Sequence, residues 1–205
     1  MGRHQNFDTH AVVRAARDLF WEQGYQGVSL PELERVTGLN RSSLYHAFGS
    51  KRGLFDAAVD SYLREVVRPL LAPLVSAEVA PDAVVDYLRT MRGALESPDT
   101  MPARYGCLLV GVAGSTLGHD PAARAAVEAY RQEMLTALTR GVIVRFPAME
   151  PAEQSRRAET CAGLVIAALA LARINPVAAA QTLDHALSLV SGDFQEESTV
   201  KGFQA

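Results

Sequence analysis

Polar and aromatic side chains that can bond to a nucleic acid are concentrated just after residue 39. Asn40 precedes a segment whose apolar spacing predicts a short helix over residues 41–48. The candidate contacts are Asn40 and the outer face of that helix, which carries Arg41, Ser42, Ser43, Tyr45 and His46. A helix of this size fits the major groove of DNA, where such side chains bond to base edges and phosphates. The spacing therefore favours recognition of a nucleic acid.

Lys51 extends this cluster into the next predicted helix. Ser50 and Lys51 open that helix, and the free backbone N–H groups at a helix start attract phosphate. Charge is also unevenly distributed. Residues 1–52 contain seven basic and five acidic side chains, a net +2, and because the whole chain carries −3 the remainder carries −5. A more basic head on an acidic body is typical of a DNA-binding protein.

Catalytic and metal-binding patterns are missing from the sequence. It contains no Gly-x-Ser-x-Gly elbow, no phosphate-binding loop, no dinucleotide fingerprint and no metal-spaced cluster of histidines and carboxylates. His119-Asp120 is interpreted as a helix cap. Cys107 and Cys161 match no zinc or redox spacing. We therefore expect no catalytic residue, no metal and no cofactor, and an enzyme is the less favoured class.

Three predicted helices hold the candidate contacts in place. An amphipathic stretch after Asp8 predicts the first helix, which ends at Gly24. Ser29, with Glu32 as its capping-box partner, starts a second helix over residues 30–36, and Gly38 ends it. Two short helices joined by a glycine-containing turn form a helix-turn-helix. Its apolar seam consists of Leu33, Val36, Leu39, Leu44 and Phe48.

Six further helices are expected after this head. The fourth helix begins at Lys51 and runs to about Val67, before Pro69 and Pro73 break the pattern. The others cover about residues 81–96, 105–117, 121–146, 151–174 and 176–190. With no strand pattern, the prediction is an all-α fold of about nine helices. It divides into a helix-turn-helix DNA-binding domain over residues 1–52 and a ligand-binding and dimerisation domain over residues 53–205.

The head resembles the TetR/AcrR family of regulators. The family pattern ends in a Leu-Tyr-x-x-Phe-x-x-Lys block, and Gly38, Leu44, Tyr45, Phe48 and Lys51 stand in register with it. The preceding helix, with Leu19-Phe20 and Gly24-Tyr25, also matches. The combination of that block with a helix-turn-helix is specific, so the resemblance implies the fold and the DNA-binding role of the family.

The resemblance also implies roles for individual residues of the head. Tyr45 and Lys51 would contact phosphates, and Ser29 would cap the second helix near the DNA backbone. The side chains facing the bases would be Arg41, Ser42 and His46. Three positions depart from the family pattern, namely Glu34, Asn40 and Ala47. Of these, Glu34 is expected to alter helix packing or to repel a nearby phosphate.

In this family the last two long helices usually pair with those of a second copy. Here residues 161–172 are apolar all round, which suits a helix that is buried on both sides. Its alanines and Gly163 would allow close helix approach. The resemblance therefore implies a homodimer, while a core helix within one subunit stays the alternative reading of the same segment.

Candidate ligand contacts rest on helical faces and on the family architecture. They are Met91, Leu95, Tyr105, Cys107, Tyr130, Met134 and Arg173. Cys107 follows Gly106 at a predicted helix start, near Arg104, where a thiol pKa is lowered. Some electrophile-sensing members of this broad group place a reactive cysteine in such a context. The alternative is an inert, packed thiol, and Arg173 could instead cap its own helix.

Taken together, the residues and the resemblance predict a DNA-binding transcriptional regulator. The expected partners are double-stranded operator DNA, a small-molecule inducer of unknown identity and a second copy of the chain, with no membrane. The alternatives are a redox or electrophile sensor acting through Cys107, or a helical interaction protein with no DNA role. The apolar runs are too short to span a bilayer and the start of the chain lacks a secretory signal, so a cytoplasmic location is expected.

Overall fold

The computed structural model describes residues 7–191, whose regular structure is entirely helical and includes no strand. The head contains α1 (Thr9–Gly27), α2 (Leu30–Thr37) and α3 (Arg41–Phe48). The body contains α4 (Lys51–Tyr62), a π-helical turn (Leu63–Val67), α5 (Arg68–Val75), α6 (Ala83–Glu96), α7 (Met101–Tyr105), α8 (Leu108–Ala113), a 3-10 turn (Thr116–His119), α9 (Pro121–Arg145), α10 (Pro151–Leu171) and α11 (Pro176–Val190). With α4–α5 counted as one rod and the single turn α7 set aside, the described residues hold nine helices, as predicted.

Local signals determine the helix ends of the head. The Asp8 side chain accepts from two backbone N–H groups at the start of α1, and Gly24 breaks the helical path with φ 73°. The capping box of Ser29 and Glu32 is formed, and Gly38 closes α2 in the left-handed conformation with φ 69°. The predicted bounds of α3 are confirmed. Each signal lies within a few residues of the end that it sets.

The fourth helix does not end before the prolines, and this part of the prediction is wrong. α4, the π-helical turn and α5 form one continuous rod that ends at Val75. In the π-helical turn the Arg68 backbone N–H donates to the carbonyl of Leu63, five residues back, instead of four. This change of register places Pro69 in the first turn of α5, where a missing N–H costs little.

The predicted sixth helix over residues 105–117 is also wrong, because Gly106 interrupts it. Gly106 has φ 67°, and a Cβ placed on it would lie 2.3 Å from the carbonyl oxygen of Leu169. The chain therefore passes directly against the backbone of α10 at this residue, and only glycine fits. Gly106 therefore separates α7 from α8, and α8 itself ends at Ala113, before the 3-10 turn.

The body packs α9, α10 and α11 around one core. Met134 and Leu138 of α9, Val165 of α10 and Leu183 of α11 are fully buried there. α11 also packs against α6, and α9 against α5. Within residues 7–191, no helix combines the length and apolarity needed to cross a membrane. The head joins this body through contacts of α1 with α4, α7 and α8 and of α3 with α4.

Candidate DNA interface and ligand cavities

The face of α3 opposite its buried seam is exposed. Leu33 and Leu44 are buried, and Val36, Leu39 and Phe48 pack against them, so the predicted seam is confirmed. The exposed side chains on the opposite face are Arg41, Ser42, Tyr45 and His46. Ser43 was predicted to lie with them but is half-buried, because it is next to the seam residue Leu44. Four of the five predicted outer-face residues therefore share one solvent-facing surface.

Arg41 is oriented by two neighbours. Its guanidinium carbon lies 5.4 Å from the ring centre of Tyr45, one helical turn later, which is a cation–π contact. Its backbone N–H donates to the carboxylate of Glu34 on α2. Glu34 therefore ties α2 to the first turn of α3. This hydrogen bond agrees with the expected effect of Glu34 on helix packing. Because it connects two helices, the sequence of neither helix alone could predict it.

Asn40 and the two serines predicted near DNA act as helix caps. Asn40 Oδ1 accepts from the Ser43 backbone N–H at 2.9 Å, and Ser50 Oγ accepts from the Gly53 N–H at 3.0 Å. Ser29 exchanges hydrogen bonds with Glu32, with its own N–H 2.8 Å from Glu32 Oε2. All three cap residues are exposed. Their first role is therefore to set the position of α2, α3 and α4.

Lys51 is held against the head rather than extended into solvent. Its Nζ lies 4.5 Å from the ring centre of Tyr25 and donates to the backbone carbonyl of Val28. Burial lowers the pKa of this ammonium below its ordinary value, and the nearby Glu32 partly opposes the effect. An ammonium has three donors, so this arrangement leaves capacity for a phosphate. Tyr25 is the contact that sequence reasoning missed.

Hydrogen bonds connect α1 and α4 to the segment from α7 to the start of α9. Trp21 Nε1 donates to the carbonyl oxygen of Gly106 at 3.0 Å, and Gln26 donates to the hydroxyl of Thr116. Arg52 Nη2 lies 2.7 Å from Asp120 Oδ1, which also caps α9 through the Ala123 N–H. The rings of Phe20 and Phe55 meet edge to face at 5.1 Å. The α7–α9 segment is therefore bonded directly to α1 and α4.

The predicted ligand contacts separate into two cavities. Met91, Tyr130 and Met134 line a cavity of about 40 Å³ inside the body, together with Tyr62 and Tyr87. We call this the body cavity. Tyr105, Cys107 and Arg173 instead line a cavity of about 140 Å³ between the body and α1, together with Trp21 and Phe55. We call this the junction cavity.

Two other predictions, that Leu95 is a ligand contact and that Arg173 caps its own helix, do not agree with the structure. Leu95 is buried in the core and lines neither cavity. Arg173 does not cap its own helix, since its Nη2 donates to the carbonyl oxygen of Glu22 on α1 at 3.3 Å. A larger depression of about 630 Å³ lies on the surface beside Pro121 and Arg124 and contains none of the predicted residues. Across residues 7–191 no cluster of histidine, cysteine and carboxylate side chains could hold a metal ion.

Cys107 lies between the two cavities as the N-cap of α8, not within the first turn of a long helix. It is buried, and the Tyr62 hydroxyl donates to its Sγ at 3.3 Å. Burial, together with the neighbouring thiol, raises the pKa of Tyr62 and of Tyr130 well above the ordinary value. Both hydroxyls therefore stay protonated. The predicted neighbour Arg104 is exposed and packs on Tyr105.

The apolar segment of α10 is buried on one side only. Cys161, Val165 and Ala168 face the core, whereas Gly163, Ala167 and Ala170 are exposed. The exposed line continues into Ile174 and Val177, which are 81% and 67% exposed. We call these five exposed residues, three on α10, Ile174 in the connection after it and Val177 at the start of α11, the α10 stripe. Among residues 7–191 of one protomer, the predicted burial on both sides is not met.

Comparison with known proteins places this geometry in context. The family model described as "Bacterial regulatory proteins, tetR family" matches residues 12–58. The HTH-type transcriptional regulator YezE of Bacillus subtilis is 36% identical over 121 residues, which are 59% of this chain and 61% of YezE. The HTH-type transcriptional repressor ComR of Escherichia coli is 36% identical over 110 residues, which are 53% of this chain and 51% of ComR. The chain thus spans about half to three fifths of these curated relatives.

Similarity to a solved structure extends over nearly the whole chain. A cysteine mutant of the regulator CifR, complexed with 26 bp of double-strand operator DNA, aligns with a TM-score of 0.75 and 28% identity. The alignment covers 91% of this chain and 98% of the CifR chain. The head matched by the family model and the helical body therefore occur together in one known architecture.

Proposed function

Because the chain belongs to the TetR family of bacterial regulatory proteins, we propose that it is a transcriptional repressor whose dimer binds a palindromic operator and is released by a small molecule. The observation that carries the proposal is the exposed face of α3, with Arg41, Ser42, Tyr45 and His46 on one surface. This surface offers groups that bond to both base edges and phosphates. Repression agrees with the repressor role of ComR, and the bacterial cytoplasm is where such an operator lies.

The head divides its contacts between two tasks. Arg41, Ser42 and His46 face bases, because they lie on the outer side of α3. Tyr45 and Lys51 contact phosphates, with Lys51 donating beyond its contact with Tyr25. Asn40, Ser29 and Ser43 support these contacts from the helix starts. Residues 1–52 form the DNA-binding domain and residues 53–205 the ligand-binding and dimerisation domain, although Phe55 of α4 also packs in the core of the head.

The α10 stripe pairs two copies of the chain. Five neighbouring residues with small or aliphatic side chains face solvent, and small residues let two helices approach closely. Pairing about a twofold axis presents two heads to DNA in opposite directions. A palindrome with half-sites about one to two helical turns apart then accepts one head at each half-site.

Selection of bound sites from random duplex DNA tests the function directly. We expect enrichment of one inverted repeat, and a gel shift of that repeat that disappears with a scrambled sequence. Enrichment without any shared sequence would contradict specific DNA reading. A helical interaction protein with no DNA role, the rival class, would retain no DNA at moderate salt. An enzyme is the less favoured alternative, because the relatives and the solved structure that the chain matches are transcriptional regulators.

We expect the dimer to leave the operator when a ligand binds more tightly to the conformation whose two heads do not fit the half-sites. The body cavity lies between the α4–α5 rod, α6, α9 and α10, and Tyr62 and Val67 line it from the rod. A ligand must widen this cavity beyond its volume of about 40 Å³, and one that thereby favours another angle of the rod changes head separation. The same coupling lowers the affinity of the ligand for the DNA-bound dimer by the same factor. Equal ligand affinities for free and DNA-bound protein would exclude this coupling.

Chemical modification of Cys107 is the second candidate for the signal. Its Sγ accepts from Tyr62 and reaches the wall of the junction cavity, so an electrophile that enters the cavity meets the sulfur. The CifR structures were obtained with substituted cysteines. Addition of the thiol across an electron-poor alkene forms an S–C bond, and the thiol proton passes to the adjacent carbon. The added group would break the Tyr62 contact.

Treatment of the operator complex with N-ethylmaleimide separates this candidate from a non-covalent inducer. The complex is compared in the wild type, Cys107→Ser and Cys161→Ser. Burial raises the pKa of Cys161 to about 11, so that thiol should react slowly. Release in the wild type and in Cys161→Ser, but not in Cys107→Ser, would support sensing. Release that persists in Cys107→Ser would leave Cys107 as core packing.

A further inference from the structure

The junction cavity is lined by residues of the head and of the body together. Phe20, Trp21 and Tyr25 come from α1, Phe55 comes from α4, and Tyr105 precedes the break at Gly106. The volume of about 140 Å³ is close to that of cavities known to hold one benzene-sized molecule, about 150 Å³. Five aromatic side chains therefore surround a space that fits a single ring, at a place where both parts of the protomer meet.

Positive charge is concentrated at one side of this space. Arg173 lines the cavity, and its guanidinium carbon lies 6.0 Å from the ring centre of Tyr105. The Arg104 guanidinium lies 5.1 Å from the same ring. Among the described residues that line the cavity, none carries a carboxylate. Among the described contacts, the guanidinium of Arg173, which has five N–H donors, makes one hydrogen bond, to the backbone carbonyl of Glu22.

We propose that the junction cavity is an effector site for a small aromatic carboxylate, with the ring among the aromatic side chains and the carboxylate on Arg173. A planar guanidinium binds a carboxylate through two parallel hydrogen bonds, and the charge makes them stronger than neutral ones. Aromatic walls prefer the edge or face of another ring. Neither feature favours a cation or a long aliphatic chain.

A ligand bound in this site is connected to the DNA interface through two contacts of Tyr25. Tyr25 lines the cavity and carries the Lys51 ammonium on its ring at 4.5 Å. A ring bound beside Tyr25 therefore changes the support of a proposed phosphate contact without acting through the α4–α5 rod. This consequence for DNA rests on the proposed function, whereas binding of the ligand does not.

The single tryptophan of the chain makes binding directly measurable. Trp21 is the only tryptophan and lies in the cavity wall, so its fluorescence reports occupancy in the absence of DNA. Benzoate is the probe, and benzamide is the uncharged molecule of the same shape. We expect a saturable fluorescence change with benzoate and an affinity at least about tenfold weaker for benzamide, because a charge-assisted pair is lost. Equal affinities would overturn the carboxylate assignment, and no saturable change with benzoate would overturn the site.

Two variants locate the site, and a third is their matched control. Gly111 lines the cavity in α8 and has open space where a Cβ would lie, so Gly111→Leu fills part of the cavity. Gly93 on α6 has similar open space but does not line the cavity, so Gly93→Leu is the control. We expect benzoate affinity to fall about tenfold or more in Gly111→Leu and in Arg173→Gln, and to stay unchanged in Gly93→Leu. An unchanged affinity in Gly111→Leu would overturn the location.

Operator binding separates failure of the site from failure of the proposed function. Fluorescence polarisation of the selected operator is measured with and without saturating benzoate. A change in operator affinity in the wild type, absent in Arg173→Gln, supports regulation through this cavity. Saturable benzoate binding with no change in operator affinity overturns the regulatory role but leaves the site. A protein that binds benzoate and no DNA sequence contradicts the proposed function alone.

Discussion

Arg52 Nη2 lies 2.7 Å from Asp120 Oδ1 and joins the first turn of α4 to the start of α9. The same guanidinium bonds to Asp56 through Nε, also at 2.7 Å. The hydrogen bond from Arg52 is the main reason that the pKa of Asp120 lies below its ordinary value of 3.8. The pKa of Arg52 is raised, first by Asp120 and then by Asp56, so the two shifts agree.

Asp120→Asn should make the protein less sensitive to acid. A carboxyl whose pKa is lowered by folding contributes stability above its unfolded pKa and loses it as pH falls through the folded pKa. The wild type should therefore lose thermal stability below about pH 4, and the variant should lose less over that range while asparagine still caps α9. Melting temperatures against pH provide the measurement. Asp86→Asn, in a more exposed pair with Arg89, is the control and should behave as the wild type.

Arg41→Ala and His46→Ala should relax base preference at separate positions of the operator. Each side chain that bonds directly to a base edge contributes about 1–3 kcal/mol of discrimination at its own base pair. Binding to a panel of singly substituted operators measures the loss. Arg89→Ala removes an exposed arginine from α6 and should leave the panel unchanged. A uniform loss across the panel in Arg41→Ala would assign that arginine to a phosphate instead.

Lys51→Ala should weaken binding to all sequences alike. Loss of one phosphate contact reduces the slope of log K against log salt by about one unit. Lys51→Arg keeps the charge and should retain most of that slope. Titrations of operator and unrelated duplexes at several salt concentrations provide the comparison. An altered sequence preference with an unchanged salt slope would show that Lys51 does not contact a phosphate.

Gly106→Ala should destabilise the protein by about 3 kcal/mol. The added Cβ meets the Leu169 carbonyl oxygen at 2.3 Å, and the φ of 67° is unfavourable for alanine, so overpacking and strain combine. Gly111→Ala, in open space within α8, should be neutral or stabilising by up to about 1 kcal/mol. Urea unfolding of both variants measures the difference. Equal midpoints would mean that α7 and α10 separate easily at this point.

Ala167→Glu should convert the dimer to a monomer. The substitution places a charge in the middle of the α10 stripe, which no residue between 7 and 191 of the same protomer covers. Ala152→Glu, exposed in the first turn of the same helix, is the matched control. Sedimentation of the free proteins at micromolar concentration gives their masses. A wild-type chain that sediments only as a monomer would contradict the proposed dimer itself.

The head could be predicted closely from the sequence because its signals are local. Ser29, Gly38 and Asn40 each determine a helix end within one turn, and all three act as predicted. The break at Gly106 could not be found in this way, because it depends on the carbonyl of Leu169, sixty-three positions later in the chain. Glycine inside an apolar run gives no sign of what lies against it.

The ligand contacts were less predictable for a related reason. Helical spacing identifies the side of a helix that faces inward, but it does not say which cavity a side chain enters. Tyr105 and Tyr130 are therefore both predicted as ligand contacts, but they line different cavities. Tyr25 could not be predicted as a functional residue in this way. It supports Lys51 and lines the junction cavity only because α1 packs against α4.

The unbroken passage from α4 through the π-helical turn into α5 gives the protomer a lever. Its helical residues, Lys51 to Val75, span roughly 35 Å at about 1.5 Å per residue. A tilt of about 5° at the Val75 end displaces the Lys51 end by about 3 Å, and successive base pairs are about 3.4 Å apart. A small tilt at one end of the rod therefore displaces the other end by nearly the spacing of two successive base pairs along DNA. A rotation smaller than any rotamer change in the body is enough to put one head out of step with its half-site by a base pair.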